Sequence, residues 1–573
     1  MYMRQLEEKS GKIRLVIYES YWRDGKSRNR IVKTLGFLED LKAEHDDPVR
    51  WGKELAKKMT DEKKASEQAI KIEIHPQQKI DSKRSARKNI GSAAILSQYA
   101  ALRIPEAIRA ATKNMKIKYD INSVLRLLVC ERIVNPGSKL SAWENRDKYF
   151  FKSEFTDDDL YRSLDIFGEY KSRIISAINR EISRAGIRDL SAVYYDVTNY
   201  YFEIDCDDDL RRRGVSKENR TKPIVQMGLL QDAKGIPISY KLFPGNTLDC
   251  QTLIPVLEDL KQDHKLDRVV TVADKGLNSS DNIAATVAKG DGFVFSQSVR
   301  GTKSDTELRE WVLDESGYST SEGFKIKSKQ GYKTVHLKPE NTSTGKPQDV
   351  KVDVKYVAFW SEKYAIRARK ERQKIIEKAC DLIKNPGEYT RATSHGAAGF
   401  VKNLHFNKQT GEIVDGNQLL LDEEAIAKAE ALDGFYLIVT SETDWDDEKI
   451  LQTYRELWRI EESFKVTKSE IRTRPVYVWT ESHIEAHFLT CYISLVILRL
   501  LQNLTGLSCS QIKENISSMS GSNFADNWWS FDHRTQESDK LVDALDLQDL
   551  KRANLQSIEI RKLIAKAVKT KLR

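Results

Sequence analysis

The stretch from Ala192 to Phe295 constrains the fold more than any other part of this 573-residue chain. It opens with AVYYDVTNYYFE, Ala192 to Glu203, a run dense in β-branched and aromatic residues, the composition that suits a pleated, buried surface. Two more strand-like runs follow, Ile224 to Leu230 and Ile236 to Phe243, split by Asp232-Ala233-Lys234-Gly235, a good hairpin connection. An amphipathic helix is expected over Thr252 to Leu260, then a buried strand over Val269 to Ala273 and a further strand at Gly292 to Phe295. Asp196 stands in the middle of the first run, where an acid is costly unless something pairs with it. Asp274 directly follows the apolar run VVTVA, at a strand's C-terminal end, a usual place for functional groups on open sheets.

Three antiparallel strands, a helix and a parallel strand is the ribonuclease H order of elements. The expected fold class is therefore α/β, with a ribonuclease H-like catalytic core. Helical periodicity resumes at Lys449 and runs past Lys468, and Glu461 lies on it in LWRIEESF. Three carboxylates on separate elements that converge on one sheet can hold two divalent metals about 3.5–4 Å apart. With 85 acidic residues in the chain, any three could be chosen. Their order gives them weight: the first acid on the first strand, the second after the fourth, the third on a later helix.

Around this core the patterning divides the chain. Residues 1–90 read as an N-terminal β-hairpin module, with a turn at Asp24-Gly25, followed by a charged linker or exposed helix. Residues 91–188 carry apolar residues three and four apart, the mark of a helical module; Asn135-Pro136-Gly137 interrupts it. The core's first part is 189–300. Residues 301–435 read as a strand-rich insertion, 436–530 as the second part with the catalytic helix, and 531–573 as a basic helical tail. From Lys551 to Arg573 there are eight Lys or Arg against Glu559 alone, which suits either a nucleic-acid contact or a solvated helix face.

Composition bounds the rest. Apolar residues make up 40% and charged residues 31%, and Lys plus Arg number 94 against 85 Asp plus Glu. That excess fits a polyanion partner where it is clustered. The six cysteines lack paired spacing, so neither a zinc cluster nor a disulfide framework is expected. The opening MYMRQLEEKSGK lacks an apolar signal core, and Phe488 to Leu501 is short for a bilayer and holds Arg499. The expectation is a cytoplasmic protein with no membrane partner. His483 and His487, four apart, do not have the zinc-protease arrangement and read as helix packing.

The segment YRELWRIEESFKVTK, Tyr454 to Lys468, resembles the Tyr-Arg-Glu-Lys helix of bacterial insertion-sequence transposases with an Asp-Asp-Glu active site. Tyr454, Glu461 and Lys468 fall in the register of that motif. Leu457 holds the position of its arginine, with Arg455 and Arg459 two residues to either side. The resemblance extends to VYYDVTNYYFE, KGIPISYKLFPGN, TVADKGL and LDGFYLIVTS. It implies Asp196, Asp274 and Glu461 as metal ligands and catalytic residues, two Mg²⁺ ions (Mn²⁺ as substitute), and Tyr454 and Lys468 as phosphate contacts bracketing Glu461 on one helix. It further implies a homodimer on paired ends of double-stranded DNA, cutting at terminal inverted repeats and joining 3′-OH ends to target DNA. Arg455, Arg459 and, in the loop RRRGVSKENRTKP, Arg213, Lys217 and Arg220 are further candidate DNA contacts. Asp205, Asp207, Asp208 and Asp209 precede that loop, so self-pairing competes with a backbone track.

Two rival readings stay open on these residues: a ribonuclease H-fold nuclease without strand transfer, and a non-catalytic DNA-binding repressor.

Overall fold

Successive side chains of a strand point to opposite faces, and along Val193–Tyr201 (β1) both faces are apolar or aromatic. Val193, Tyr195 and Val197 enter one core, Tyr194 and Tyr200 another. A strand greasy on both sides must be covered on both sides. In the computed structural model β1 is indeed an inner strand of a nine-stranded sheet. The structure describes the chain apart from residues 9–10, 24–25, 66–76, 78–86, 215–221, 265–267, 301–305, 338, 340–344, 392, 395, 408–411, 415–417, 526 and 573.

The chain divides into two units, Met1–Ile80 and Asp81–Arg573. In the first, Tyr2–Glu7, Ile13–Arg23 and Lys26–Phe37 form an antiparallel three-stranded sheet, accompanied by the helix Pro48–Ala65. The expected hairpin is there, with Arg23 paired to Lys26, and it gains a third strand; Asp24 and Gly25 themselves lie outside the described residues.

In the second unit, Ile224–Asp232 (β2) and Pro237–Pro244 (β3) follow β1 as antiparallel neighbours. Leu253–His264 (α1) then leads to Val270–Ala273 (β4), which runs parallel to β1, and Ser280–Ala288 (α2) leads to Gly292–Gln297 (β5), parallel to β4. The spatial order is β3-β2-β1-β4-β5. This is the antiparallel triplet, helix and parallel strand read from the sequence, with one more parallel strand beyond.

The long strands of the insertion join this sheet, while Val401–Lys402 and Leu420–Leu421 form a small two-stranded sheet of their own. Ser319–Ser321 (β6), Phe324–Leu337 (β7) and Gln348–Ser361 (β8) continue the same sheet, joined to β5 through Phe435–Thr440 (β9), which is antiparallel to both β5 and β8. Between β8 and β9 the helix Glu362–Lys384 (α3) crosses the insertion. Asp447–Arg455 (α4), Trp458–Ser469 (α5) and Glu481–Thr505 (α6) complete the core.

Helix α6 is 25 residues, longer than the apolar run suggested, and is apolar enough by length and composition to cross a membrane. It is instead the hub of the helical body, with 94% of its most apolar window buried. Helices Ile121–Val134 and Asp157–Glu169 of the N-terminal helical module pack on it. The C-terminal helix Ser557–Ala567 also joins this core, burying Ile560, Leu563 and Ala567. The basic tail helix is therefore docked by its apolar stripe; Lys551 pairs with Asp543, and Lys566 with Asp546.

One buried ion pair fastens the helical body to the sheet. Arg188 donates to Asp232 Oδ2 at 3.0 Å and to the carbonyl of Ile236 at 3.0 Å, and both side chains are at most 2% exposed. Asp232 in turn accepts from the backbone N–H of Lys234 and Ile236, fixing the β2–β3 turn. Burial pushes the Asp232 carboxyl above its usual range, and Arg188 opposes that shift. Removing one partner strands a buried charge, so Arg188→Ala is expected to lower the free energy of unfolding by about 3–5 kcal/mol, read from urea denaturation. A loss below about 1 kcal/mol, the worth of an exposed pair, would show that Asp232 finds another partner.

Candidate active site

Register brings the first two acids side by side. Tyr194 pairs with Val272 across β1 and β4, and Val272 with Val294 across β4 and β5. Two residues further along each strand come Asp196, Asp274 and Ser296, level with one another and on one face by the period-two rule. The backbone at Asp274 is still extended, so alternation carries past the strand end. Ser296 donates to Asp274 Oδ1 at 2.8 Å, which fixes that carboxylate from the neighbouring strand. Asp274 also accepts from the N–H of Lys275, and Asp196 from that of Val197 at 2.7 Å. Neighbouring strands lie about 4.7–4.9 Å apart, so the two aspartates have adjacent backbones.

The third acid arrives from the helices lying on that face. Tyr194 donates to the carbonyl of Thr453 at the near end, and Tyr200 is 2.7 Å from Thr467 Oγ1 at the far end. Helix α5 packs on β1, and it carries Glu461 about two turns before Thr467, the residue that meets Tyr200. Asp274, Ser296, Tyr454, Leu457 and Glu461 line one cavity of about 370 Å³ together with Arg300 and Arg367. Asp196 is half-buried, while Asp274 and Glu461 are exposed.

The expected single helix from Lys449 past Lys468 is broken. α4 ends at Arg455 and α5 begins at Trp458, with a tight turn in which the N–H of Leu457 donates to the carbonyl of Tyr454. Tyr454 therefore does not stand two regular turns before Glu461. It reaches the site from the end of α4, beside Ser296, and its hydroxyl is driven well above its usual pKa, chiefly by burial.

The remaining candidates scatter. Lys468 lies over the Tyr200 ring at 6.0 Å, on the β1 side. Arg455 is exposed and sits over Phe324 at 5.1 Å. Arg459 points away from the acids, paired with Glu456 and stacked over Trp458 in a hollow by the β2–β3 turn. The loop after β1 is self-paired: Arg211 with Asp208, Arg212 with Asp209, Arg213 with Asp207 at 3.3 Å, and Lys222 with Asp205. Arg213 thus carries an exposed ion pair with an acid a few residues upstream; Lys217 and Arg220 lie outside the described residues.

Sequence reading missed Ser296 and Arg367. Ser296 could have been found as the one hydroxyl in the apolar run GFVFS, in phase with Val294. Arg367 belongs to a run of helically spaced cations, but its place at the cavity depends on the long-range pairing of β9, which brings α3 there.

The donor set is all oxygen, which suits a hard divalent cation such as Mg²⁺. Among the described residues no three His, Cys, Asp or Glu side chains stand close enough to hold one ion. Like-charged carboxylates repel one another, and Asp196 and Asp274 have each turned to a local N–H donor. The residues fit a metal in the chemistry of their donors and in the level placement of Asp196 and Asp274.

A family model for a "Transposase DDE domain" matches residues 207–497, slightly more than half of the chain. The chain belongs to the DDE transposase family. Members of that family generally use divalent metal ions. Asp274 and Glu461 fall inside the matched span, and Asp196 lies just before it. Among solved structures, the piggyBac transposase synaptic complex with hairpin DNA, determined by cryo-EM, is similar with a TM-score of 0.37 and 8% identity, over 83% of this chain and 85% of that one. No curated protein sequence matches.

The transposase braces the segment beyond α5 from underneath. His487 Nε2 lies 2.8 Å from the carbonyl of Thr473, and its Nδ1 is 3.2 Å from the buried Lys139 Nζ. These contacts make His487 a packing residue, as its spacing suggested. Burial, with Arg132 nearby, brings the Lys139 amine down to about 7 from 10.5. A depressed amine means that the unfolded chain binds more protons than the folded one between those values, so stability rises with pH across that window. Thermal unfolding of the wild type is expected to shift upward from pH 7 to pH 9 by more than that of Lys139→Met. Equal shifts in the two proteins would show that Lys139 keeps its proton.

Proposed function

We propose that this transposase cuts phosphodiesters at the terminal inverted repeats of an insertion sequence and joins the 3′-OH ends to target DNA. In this reading Asp196, Asp274 and Glu461 hold two Mg²⁺ ions, for which Mn²⁺ substitutes. The observation that carries it is the level row of Asp196, Asp274 and Ser296 on adjacent strands, with Glu461 sharing a cavity with Asp274 and Ser296. When bound, such ions neutralise the entering and leaving oxygens of an in-line displacement.

The chain's own groups do the positioning. Ser296 holds Asp274 by its hydroxyl, so that this carboxylate keeps one direction. Tyr454, on the cavity wall, offers a phenol that stays protonated, suited to donate to a phosphate oxygen. Lys468, on the Tyr200 side, supplies a point charge to the strand on the other flank of Glu461. That pairing of phenol and lysine about the acid is what the Tyr-Arg-Glu-Lys resemblance implies. We take the protein to be bacterial and cytoplasmic, and to act as a homodimer on paired DNA ends.

A repressor needs no level row of acids, because charges massed without partners destabilise a site that does no chemistry. A nuclease needs the row but not the joining step. Purified protein, incubated with DNA bordering its own gene and Mg²⁺, is expected to nick at the repeat ends and then to transfer the 3′-OH strand. Asp196→Asn, Asp274→Asn and Glu461→Gln should each slow nicking by more than about a hundredfold. Nicking that persists in Asp196→Asn removes that residue from the site; nicking without strand transfer favours the nuclease.

A further inference from the structure

Helix α3 carries its cations on one side. Lys363, Arg367, Lys370 and Lys374 are spaced four, three and four apart, which aligns them on a single face, and all four are exposed. With Ile366 and Glu371 they line a hollow of about 330 Å³. The opposite side is anchored: Ala365, Ala379 and Leu382 are buried, and Arg372 pairs with Asp433 and Glu430. The helix cannot roll to hide its basic face without breaking those contacts.

That face runs into the acid site. Arg367 and Glu371 line both this hollow and the cavity holding Asp274 and Glu461, so the two share a rim. At the start of α5 the cavity is walled by Leu457, which brings no cation. Of the other cations lining it, Arg300 is tied to the carbonyl of Leu432 at 2.9 Å, and Lys275 follows Asp274 in the chain. Among the described residues Arg367 is held by an exposed ion pair with Glu371, at 2.8 Å with 76% and 60% of the side chains accessible. Such pairs are weak, and a phosphate can replace the carboxylate.

We propose that this face of α3 is a track for the backbone of one DNA strand, leading it to the carboxylates, and that Arg367 is the cation meeting the phosphate nearest them. The assignment rests on the site being a phosphodiester-cleaving centre. Eleven residues of helix span about 16 Å, the axial rise of roughly five nucleotides of one B-form strand. Four cations against one acid over that length match a polyanion. Glu362, Arg369, Gln373 and Glu377, on the flank, offer no such excess.

The test uses the full-length protein and a fluorescent duplex carrying the DNA that borders its gene. Removing one cation from the phosphates should flatten the dependence of log affinity on log salt by about 0.9. Replacing Lys363, Arg367, Lys370 and Lys374 together by Ala is expected to reduce the slope by about 3 or more, whereas Arg369→Ala with Gln373→Ala leaves it unchanged. Arg367→Ala alone should slow single-turnover nicking about 10- to 100-fold, the effect of deleting one charge-assisted hydrogen bond, with Arg367→Lys in between. If the fourfold variant does not keep its native melting temperature, Arg367→Ala with Lys370→Ala reads the same slope at about half the size. An unchanged slope in a folded variant overturns the track, and wild-type nicking in Arg367→Ala overturns that residue's role. A wild type that binds DNA but never nicks it refutes the proposed function instead, while the slope still decides the track.

Discussion

The parallel pairing of β1 with β4 is the constraint on which the site depends. Antiparallel hairpins set the register of β1, β2 and β3 locally, through turn geometry, but a parallel neighbour must be brought back by a crossover. Helix α1 makes that return, and its Leu253, Val256 and Leu260 are buried on the face opposite the acids. A slip of one residue would turn Asp274 to the other face of the sheet, away from Asp196 and Glu461. Val272, fully buried in the helical core, and Ala273, fully buried against α1, specify the register from both sides. The packing of a four-residue strand thus decides where a carboxylate points.

Much of the core was legible because its signals are short-range. Strand period, the Asp232–Gly235 turn and the amphipathic run over α1 act within a few residues of one another. The turn is more strongly determined than its sequence alone suggests, since Asp232 binds the turn's own N–H groups and Arg188 binds Asp232. The break between α4 and α5 was not legible: YRELWRIEE has no proline or glycine, and helical propensity runs through it. What divides the helices is tertiary, because Tyr194 claims the carbonyl of Thr453 while the side chain of Leu457 turns into the site wall. Charge in the loop after β1 was half-legible. Its composition allows either a DNA track or a self-paired loop, and the folded positions of Asp207 and Asp208 show the pairs it makes in the described part.

The acids are held by structure that is otherwise apolar. Tyr194 and Tyr200 flank Asp196 on its own face, each spending its hydroxyl on the helices above. The carboxylate stays level with its partner and accepts from a local donor, the N–H of Val197. The fold thus fixes the elements that carry the acids, and local donors hold the Asp196 and Asp274 carboxylates.

The insertion shapes the site as much as the core does. Ile438 of β9 pairs directly with Ser296 of β5, so the strand that returns from the insertion abuts the residue holding Asp274. Through β8 and β9 the sheet continues without a gap, and the helix between those strands is placed by sheet geometry rather than by a loose linker. Trp360 at the end of β8 donates to the carbonyl of Asp433 ahead of β9, and Arg372 of α3 pairs with the same Asp433. That closed circuit of contacts fixes the angle at which α3 leaves the sheet. A basic helix so fastened delivers its charge at one place, beside Glu461, which a helix on a flexible tether could not do.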